Sequence, residues 1–431
     1  MRRVTTVLLT TVLLTLVAIL LAGSYYGWAG RQKKPKIIRL SEQPPGPITF
    51  PKIDRKPEPS PSGSREMKSL PKYDPDAPRV FAVKLRCRDL SKLDLRNSIN
   101  DLLHAVFDDY TRWPKSDQMP EGFDPKKVME LGKNPGLGVR TLHKRGITGK
   151  GVGIAVIDQP LLTEHQEYAD RLRLYEEHNV RAGTLASFHG PAAASIAVGE
   201  TVGVAPDADL YYIASWSMDI SRDGSPMDFV FKAQAIRRLL EINRQLPGDR
   251  KIRTISMSSR WVPSDGGYDE IVAACEEAKA AGVFVVNCAG VREGTANPHG
   301  FTYSGLGRHP LADPDDFNSY GPIPSWLTQD IYEQPRWRGY LLVPMDSRTM
   351  ACARGLDKYV FFGVGGFSWV PPYLAGVYAL AAQVEPEITP ERFWALAVKT
   401  SRTIELEYHG KQHPFGLIID PVMLINTLQK N

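Results

Sequence analysis

The chain has 431 residues, with 53 Lys and Arg against 48 Asp and Glu, a formal net charge of +5. Basic and acidic residues are interleaved over most of the length, so the clustered excess charge that tracks a phosphate backbone is missing and no nucleic-acid partner is expected. With 42% hydrophobic and 23% charged residues, collagenous and wholly disordered chains are excluded, and the length allows two or three domains.

After Arg2 and Arg3, Val4 to Gly30 carries no charge and closes with Tyr25, Tyr26 and Trp28. At about 1.5 Å rise per residue such a run crosses the hydrocarbon layer, and the aromatics suit the headgroup boundary. Two readings of residues 1–30 stay open: an uncleaved transmembrane anchor and a cleavable signal peptide. The first predicts a single-pass protein of the cell membrane with its body outside, the second a secreted one. Arg31, Lys33, Lys34 and Lys36 come next, and about a quarter of the residues from Pro35 to Pro78 are proline. Residues 31–79 therefore read as a basic, semi-rigid stalk with too little apolar surface to fold.

Residues 80–135 form an N-terminal extension in which Ile99 to Phe107 has the spacing of a short amphipathic helix. No chemistry is legible there. From about residue 136 to 431, apolar runs of strand length alternate with helical patterns. Gly151–Ile157, Ala208–Ala214, Ile252–Met257 and Val283–Ala289 read as buried strands. Asp228–Gln245 and Tyr268–Ala281 read as helices, and Thr389-Pro390-Glu391 as the capped start of another. The expected fold is α/β, a doubly wound, mostly parallel sheet with helices on both faces. Ligand chemistry in such sheets gathers at the carboxyl ends of the strands.

Asp158 ends one of these strands, and a carboxylate there requires a charged or hydrogen-bonding partner; taken alone it also suits a turn before Gln159-Pro160. His189 opens a small-residue run from Pro191 to Ala197, with His165 a weaker candidate. Ser368 comes after Gly363, Gly365 and Gly366 and starts a helical segment, where its hydroxyl lies beside free N–H groups. Helix capping alone would also explain it. The four cysteines, Cys87, Cys275, Cys288 and Cys352, are far apart and form no C-x-x-C pair, so no metal site, disulfide framework or cofactor is indicated.

Taken together, three blocks resemble the subtilisin-like serine proteases (subtilases). Ile147-Thr148-Gly149-Lys150-Gly151 with the strand to Asp158 is similar to that family's aspartate block. His189-Gly190 with Ala192 to Ala197, and Gly203-Val204-Ala205-Pro206 after it, is similar to its histidine block. Gly366-Phe367-Ser368, with Pro372 and Ala375-Gly376 beyond, is similar to its nucleophile block. The resemblance implies an Asp158, His189, Ser368 triad that hydrolyses peptide bonds through an acyl-enzyme. It also implies an oxyanion site at Val291, where the family carries asparagine, and a substrate pocket of Ser258, Ser259, Arg260, Ala289 and Gly290. Two functions are expected in consequence: an exported or membrane-tethered serine endopeptidase acting on polypeptides, or a pseudoprotease retained as a binding module of the cell envelope. Export suits an unspecific hydrolase, and Val291, with no side-chain donor, favours the second. Asp313-Pro314-Asp315-Asp316 reads as an exposed acidic turn rather than a calcium site, Cys288 as a small buried residue, and Trp326 and Trp337 as either a substrate wall or a local core.

Overall fold

The computed structural model of the chain describes residues 53, 55–75, 82–217, 227–288, 297–323, 335 and 337–430. The chain divides into Met1–Pro47 and Ile48–Asn431, and all of the described residues belong to the second unit. The expected anchor or signal lies outside the described residues, among which no helix is long and apolar enough to cross a membrane.

The central layer is a five-stranded parallel sheet. In chain order its elements are β1 (Gly153–Asp158), β2 (Leu172–His178), α1 (His189–Val198), β3 (Asp209–Ser215), α2 (Val230–Gln245), β4 (Ile252–Met257), α3 (Tyr268–Ala280), β5 (Phe284–Asn287) and, much later, α4 (Val370–Val384). The strand order is β2-β3-β1-β4-β5. Side chains along a strand alternate between faces. Ile154 and Val156 accordingly join one core with Ala192 and Ile196 of α1 and Leu374 and Val377 of α4. Ala155 and Ile157 join a second core with Ala233, Ile236 and Leu239 of α2 and Ile271 and Ala274 of α3. Helices therefore clad both faces, and so β1 is apolar at nearly every position. Each fully buried Val or Ile contributes about 1.5–3 kcal/mol.

Strand β2 escapes the apolar criterion because Arg173, Glu176, Glu177 and His178 make it look polar. It is an edge strand whose charges have partners: Arg173 pairs with Asp209 at 2.6 Å and Glu176 with Arg238 at 2.9 Å. Registers Asp158↔Ala214, Val156↔Ser256 and Met257↔Asn287 align the carboxyl ends of β1, β3, β4 and β5 along one edge. That edge is where Asp158, Ser258 and Cys288 stand.

A second five-stranded sheet, this one mixed, runs in the order 320–321, 303–308, 341–344, 411–418 and 402–408. A third sheet bears on the site. The antiparallel hairpin of Arg348–Ala351 and Tyr359–Phe362 receives Ala105–Asp108 as a neighbour, with Phe107 opposite Phe361, and Val83–Lys84 lies beyond it. Residues 82–135 are thus built into the body. The helix expected over 99–107 is only Ile99–Leu103, and Ala105–Asp108 is a strand. A single helical turn is marginal in isolation, and Val106 and Phe107 instead meet an open sheet edge that Val360 to Phe362 supply.

The proline-rich stretch also differs from a free stalk. Residues 55–67 lie along the body: Arg55 Nε donates to Glu177 at 2.7 Å, Ala186 N–H to Glu58 O at 3.0 Å, and Ser60 N–H to Ala353 O at 2.8 Å. Arg65–Glu66 pairs in parallel with Arg88–Asp89. Proline removes donors but favours extended backbone, so the hydrogen bonds of this strap fall to the residues between the prolines.

Candidate active site

Asp158 is the last residue of β1 and is 4% exposed. Its Oδ1 accepts from its neighbour Gln159 N–H at 2.7 Å and from His189 Nδ1 at 2.6 Å. A carboxylate only accepts, so Nδ1 carries the imidazole proton and Nε2 is left as the basic nitrogen. Burial pushes the Asp158 pKa up, but His189, Lys232 and the Gln159 N–H outweigh it and hold the group below the ordinary carboxylate value. The turn beyond Asp158 is fixed from below, where Tyr212 Oη donates to Gln159 O.

His189 is the first residue of α1. Ser187 Oγ accepts from the His189 N–H at 3.0 Å and from the Gly190 N–H at 3.3 Å, which satisfies two of the donors every helix start leaves open. Gly190 allows α1 to approach β1: a Cβ there would lie 2.5 Å from Tyr212 Oη and 3.1 Å from Pro160 O. The imidazole packs against the Trp369 ring at a centroid distance of 5.1 Å. This contact brings the His189 and Ser368 blocks together, since Trp369 is the residue after the serine.

Ser368 lies in the short 3₁₀ turn Phe367–Trp369 that leads into α4, and it is half-buried. Its carbonyl accepts from Ser258 Oγ at 2.7 Å, tying the turn to the carboxyl end of β4. Its side chain lies against the Cys288 thiol, which donates to Phe367 O at 3.5 Å. No hydrogen bond joins His189 to Ser368 in this arrangement. The glycine loop before the serine is braced twice: Gly363 N–H donates to Ala105 O at 2.8 Å, and Gly365 N–H to Asp346 Oδ1 at 2.7 Å. The first brace comes from residues 82–135, so that extension supports the loop carrying Ser368.

Of the expected pocket, Ser258 contacts the Ser368 turn, Ser259 O accepts from Cys288 N–H at 2.9 Å, and Arg260 is exposed. Ala289, Gly290 and Val291 lie outside the described residues, as does Trp326. Burial pushes the Cys288 thiol up to about 12, so it stays protonated at neutral pH and behaves as a packing residue. His165 is fully buried, with Nε2 at 2.9 Å from Lys358 O, and belongs to the interior. Trp337 packs edge-on against Phe415 at 4.9 Å, in a local core rather than a wall of this site. Within the acidic turn, Asp315 accepts from Gly138 N–H and Asn134 Nδ2, and Asp316 from Asn318 N–H, each at 2.9 Å.

Two residues at the site escape the sequence reading, Asp346 and Lys232. Lys232 is 4% exposed on the first turn of α2. A signal for it exists: it falls at i, i+4 and i+7 with Ile236 and Leu239, a lysine in an apolar stripe.

No curated protein sequence matches the chain. A solved structure of the prenylagaramide maturation protease PagA aligns over 68% of this chain and 99% of its own, with 14% identity and a TM-score of 0.48. Residues 149–328 match the sequence profile of the subtilase family. That match contains Asp158 and His189 and stops short of Ser368. The segment 149–328, which holds the central sheet and the Asp158–His189 pair at its carboxyl edge, is thus the part of the chain that is similar to the subtilase family.

Proposed function

We propose that the protein is a serine endopeptidase that acts on polypeptides through Asp158, His189 and Ser368. The observation that carries this reading is the 2.6 Å bond from His189 Nδ1 to buried Asp158, beside a helix-initiating serine whose neighbour Trp369 packs at a tilt against the same imidazole. As Ser368 Oγ attacks the carbonyl carbon, His189 Nε2 takes its proton. Asp158 holds the tautomer and stabilises the imidazolium, which then protonates the leaving amine. Water, activated by the same nitrogen, hydrolyses the acyl-enzyme. The N–H of Ser368, at the open start of its turn, is the donor left for the oxyanion, since Val291 carries none in its side chain. The apolar run from Val4 to Gly30 supports export, either as a membrane tether or as a removed signal.

One observation favours the second reading, a pseudoprotease: Ser368 is turned to Cys288 and makes no hydrogen bond to His189. Resting sites often tighten only when substrate binds. A fluorophosphonate probe, which reacts only with an activated serine, separates the two. The peptidase reading expects stoichiometric labelling of the wild type that vanishes in Ser368→Ala. A folded wild type that stays unlabelled leaves only the binding-module reading. Fractionation of cells producing the full chain, with N-terminal sequencing of the product, tests tether against signal.

A further inference from the structure

Asp158 grips the His189 imidazole at one atom, Nδ1, at 2.6 Å. A single hydrogen bond selects the tautomer but lets the ring rock about that contact, because the terminal torsion of a histidine side chain is broad. Two aromatic rings limit this motion. Trp369 packs at a tilt with its centroid 5.1 Å from that of the imidazole, and Phe188 meets the imidazole edge-on at 5.7 Å and an interplanar angle of 82°. Trp369 is buried, but Phe188 is 47% exposed, so the core does not hold its ring. What lies over that ring is Arg86.

Arg86 comes from the N-terminal extension. It stands in a tight turn closed by the Arg88 N–H, which donates to Leu85 O at 3.1 Å, with Cys87 at φ 53°. The turn is pinned on both sides of Arg86: Leu85 N–H donates to Val106 O at 2.8 Å, and Cys87 N–H to Asp108 Oδ1 at 2.9 Å. From this fixed base the guanidinium carbon lies 5.0 Å from the Phe188 ring centroid and 5.8 Å from that of Phe362. Both distances fall within the roughly 6 Å over which a ring face attracts a cation. Phe362 in turn meets Trp369 edge-on at 5.5 Å. Arg86, Phe188, His189, Trp369 and Phe362 therefore form a closed circuit in which each group packs against the next.

We propose that Arg86 is a positioning residue for His189: it clasps Phe188 and Phe362, and through them fixes the two rings that limit the imidazole. The inference rests on the peptidase reading and gives residues 82–135 a part in its chemistry, with Arg86 acting only through other side chains. Loss of a partly buried cation–π contact corresponds to a factor of about 5 to 30.

The test is the second-order rate of fluorophosphonate labelling at Ser368 in the purified full chain, with the labelled fraction recorded at completion. Arg86→Met keeps an unbranched side chain and removes the charge. It is expected to label roughly 5 to 30 times more slowly, with a final labelled fraction equal to that of the wild type. Phe188→Leu, at an exposed position, is expected to slow labelling to a similar extent. The double variant is expected to be no slower than the slower single one, because both changes open the same circuit. A merely structural role predicts a smaller labelled fraction with an unchanged rate for the remainder, and that result overturns the proposal. So do wild-type rates in either single variant, or a double variant slowed by the product of the two single effects. Should Arg86→Met fail to fold, the rate of Phe188→Leu decides alone. If the wild type does not label, the peptidase reading has failed and this inference with it; if it labels and the variants match it, only the role of Arg86 has failed.

Discussion

Replacing Gly190 by alanine tests how the proposed pair of Asp158 and His189 is held. Gly190 is the second residue of α1, one after His189. A Cβ there lies 2.5 Å from Tyr212 Oη and 3.1 Å from Pro160 O, and closer still to Gln159 O. Two of these are backbone atoms of the turn after Asp158, and the Tyr212 hydroxyl is itself bonded to Gln159 O, so none swings aside like the end of a surface side chain. Restoring an ordinary carbon–oxygen contact of about 3.3 Å requires α1 and that turn to separate by roughly 0.8 Å. A shift of that size takes the 2.6 Å His189–Asp158 bond past the range of a good hydrogen bond. Misplacement on this scale costs about 10²-fold in rate, and overpacking costs about 1–3 kcal/mol of stability. The assay is the second-order rate of fluorophosphonate labelling at Ser368, with thermal unfolding measured in parallel. Gly248→Ala serves as control, because nothing lies within 4 Å of a Cβ at that position. The expectation is labelling about a hundredfold slower for Gly190→Ala and unchanged for Gly248→Ala. Wild-type labelling and melting in Gly190→Ala would refute the claim that this glycine sets the distance between α1 and β1.

Asp158→Asn is expected to lower peptide turnover by roughly 10⁴-fold, the effect of the same change in a triad hydrolase of another fold, because the amide favours the wrong imidazole tautomer; turnover within tenfold of wild type would remove Asp158 from the triad. Burial pushes the pKa of Asp346 up to about 7, with the Gly365 N–H and Arg308 pulling it partly back. The native state therefore holds a proton that the unfolded chain releases near pH 3.8, so stability from this group is full below that value and is lost as pH rises through 7. Asp346→Asn, which keeps an acceptor for Gly365, is expected to raise stability at pH 8 by an amount on the order of 4 kcal/mol and to change little at pH 4. Equal effects at the two pH values, measured by denaturant unfolding, would contradict this. Ser60→Ala removes the hydroxyl that donates to Ala186 O and is expected to cost about 1 kcal/mol, with faster hydrogen exchange at the Ala186 amide, which donates to Glu58 O. Unchanged exchange would mean that the strap does not protect the chain leading to His189.

Much of the fold is legible because a sheet covered on both faces leaves an unbroken apolar run. The strand ending at Asp158, the strands at 209–215 and 252–257, and helices α2 and α3 fall within a residue or two of their expected bounds. Strand β2 is hidden because an edge strand can carry charges if partners such as Arg238 and Asp209 reach them. Ala105–Asp108 reads as helix because local periodicity does not report a sheet edge lying more than 250 residues further along the chain. The stalk expected over 31–79 rests on proline content, which reports the lack of a core but not the presence of a surface for residues 55–67 to lie on.

The sequence by itself determined the chemistry on offer at three points, because residue type and local context suffice to place an aspartate at a strand end, a histidine at a helix start and a serine after glycines. Only the tertiary structure decided that Asp158 and His189 meet at 2.6 Å, that Trp369 brings Ser368 to the same imidazole, that Asp346 braces the serine loop, and that Lys232 is buried. The physical reason is range. Turn and capping preferences act over a few residues, whereas the position of a charge relative to its partner depends on strand register and helix packing summed over the whole sheet.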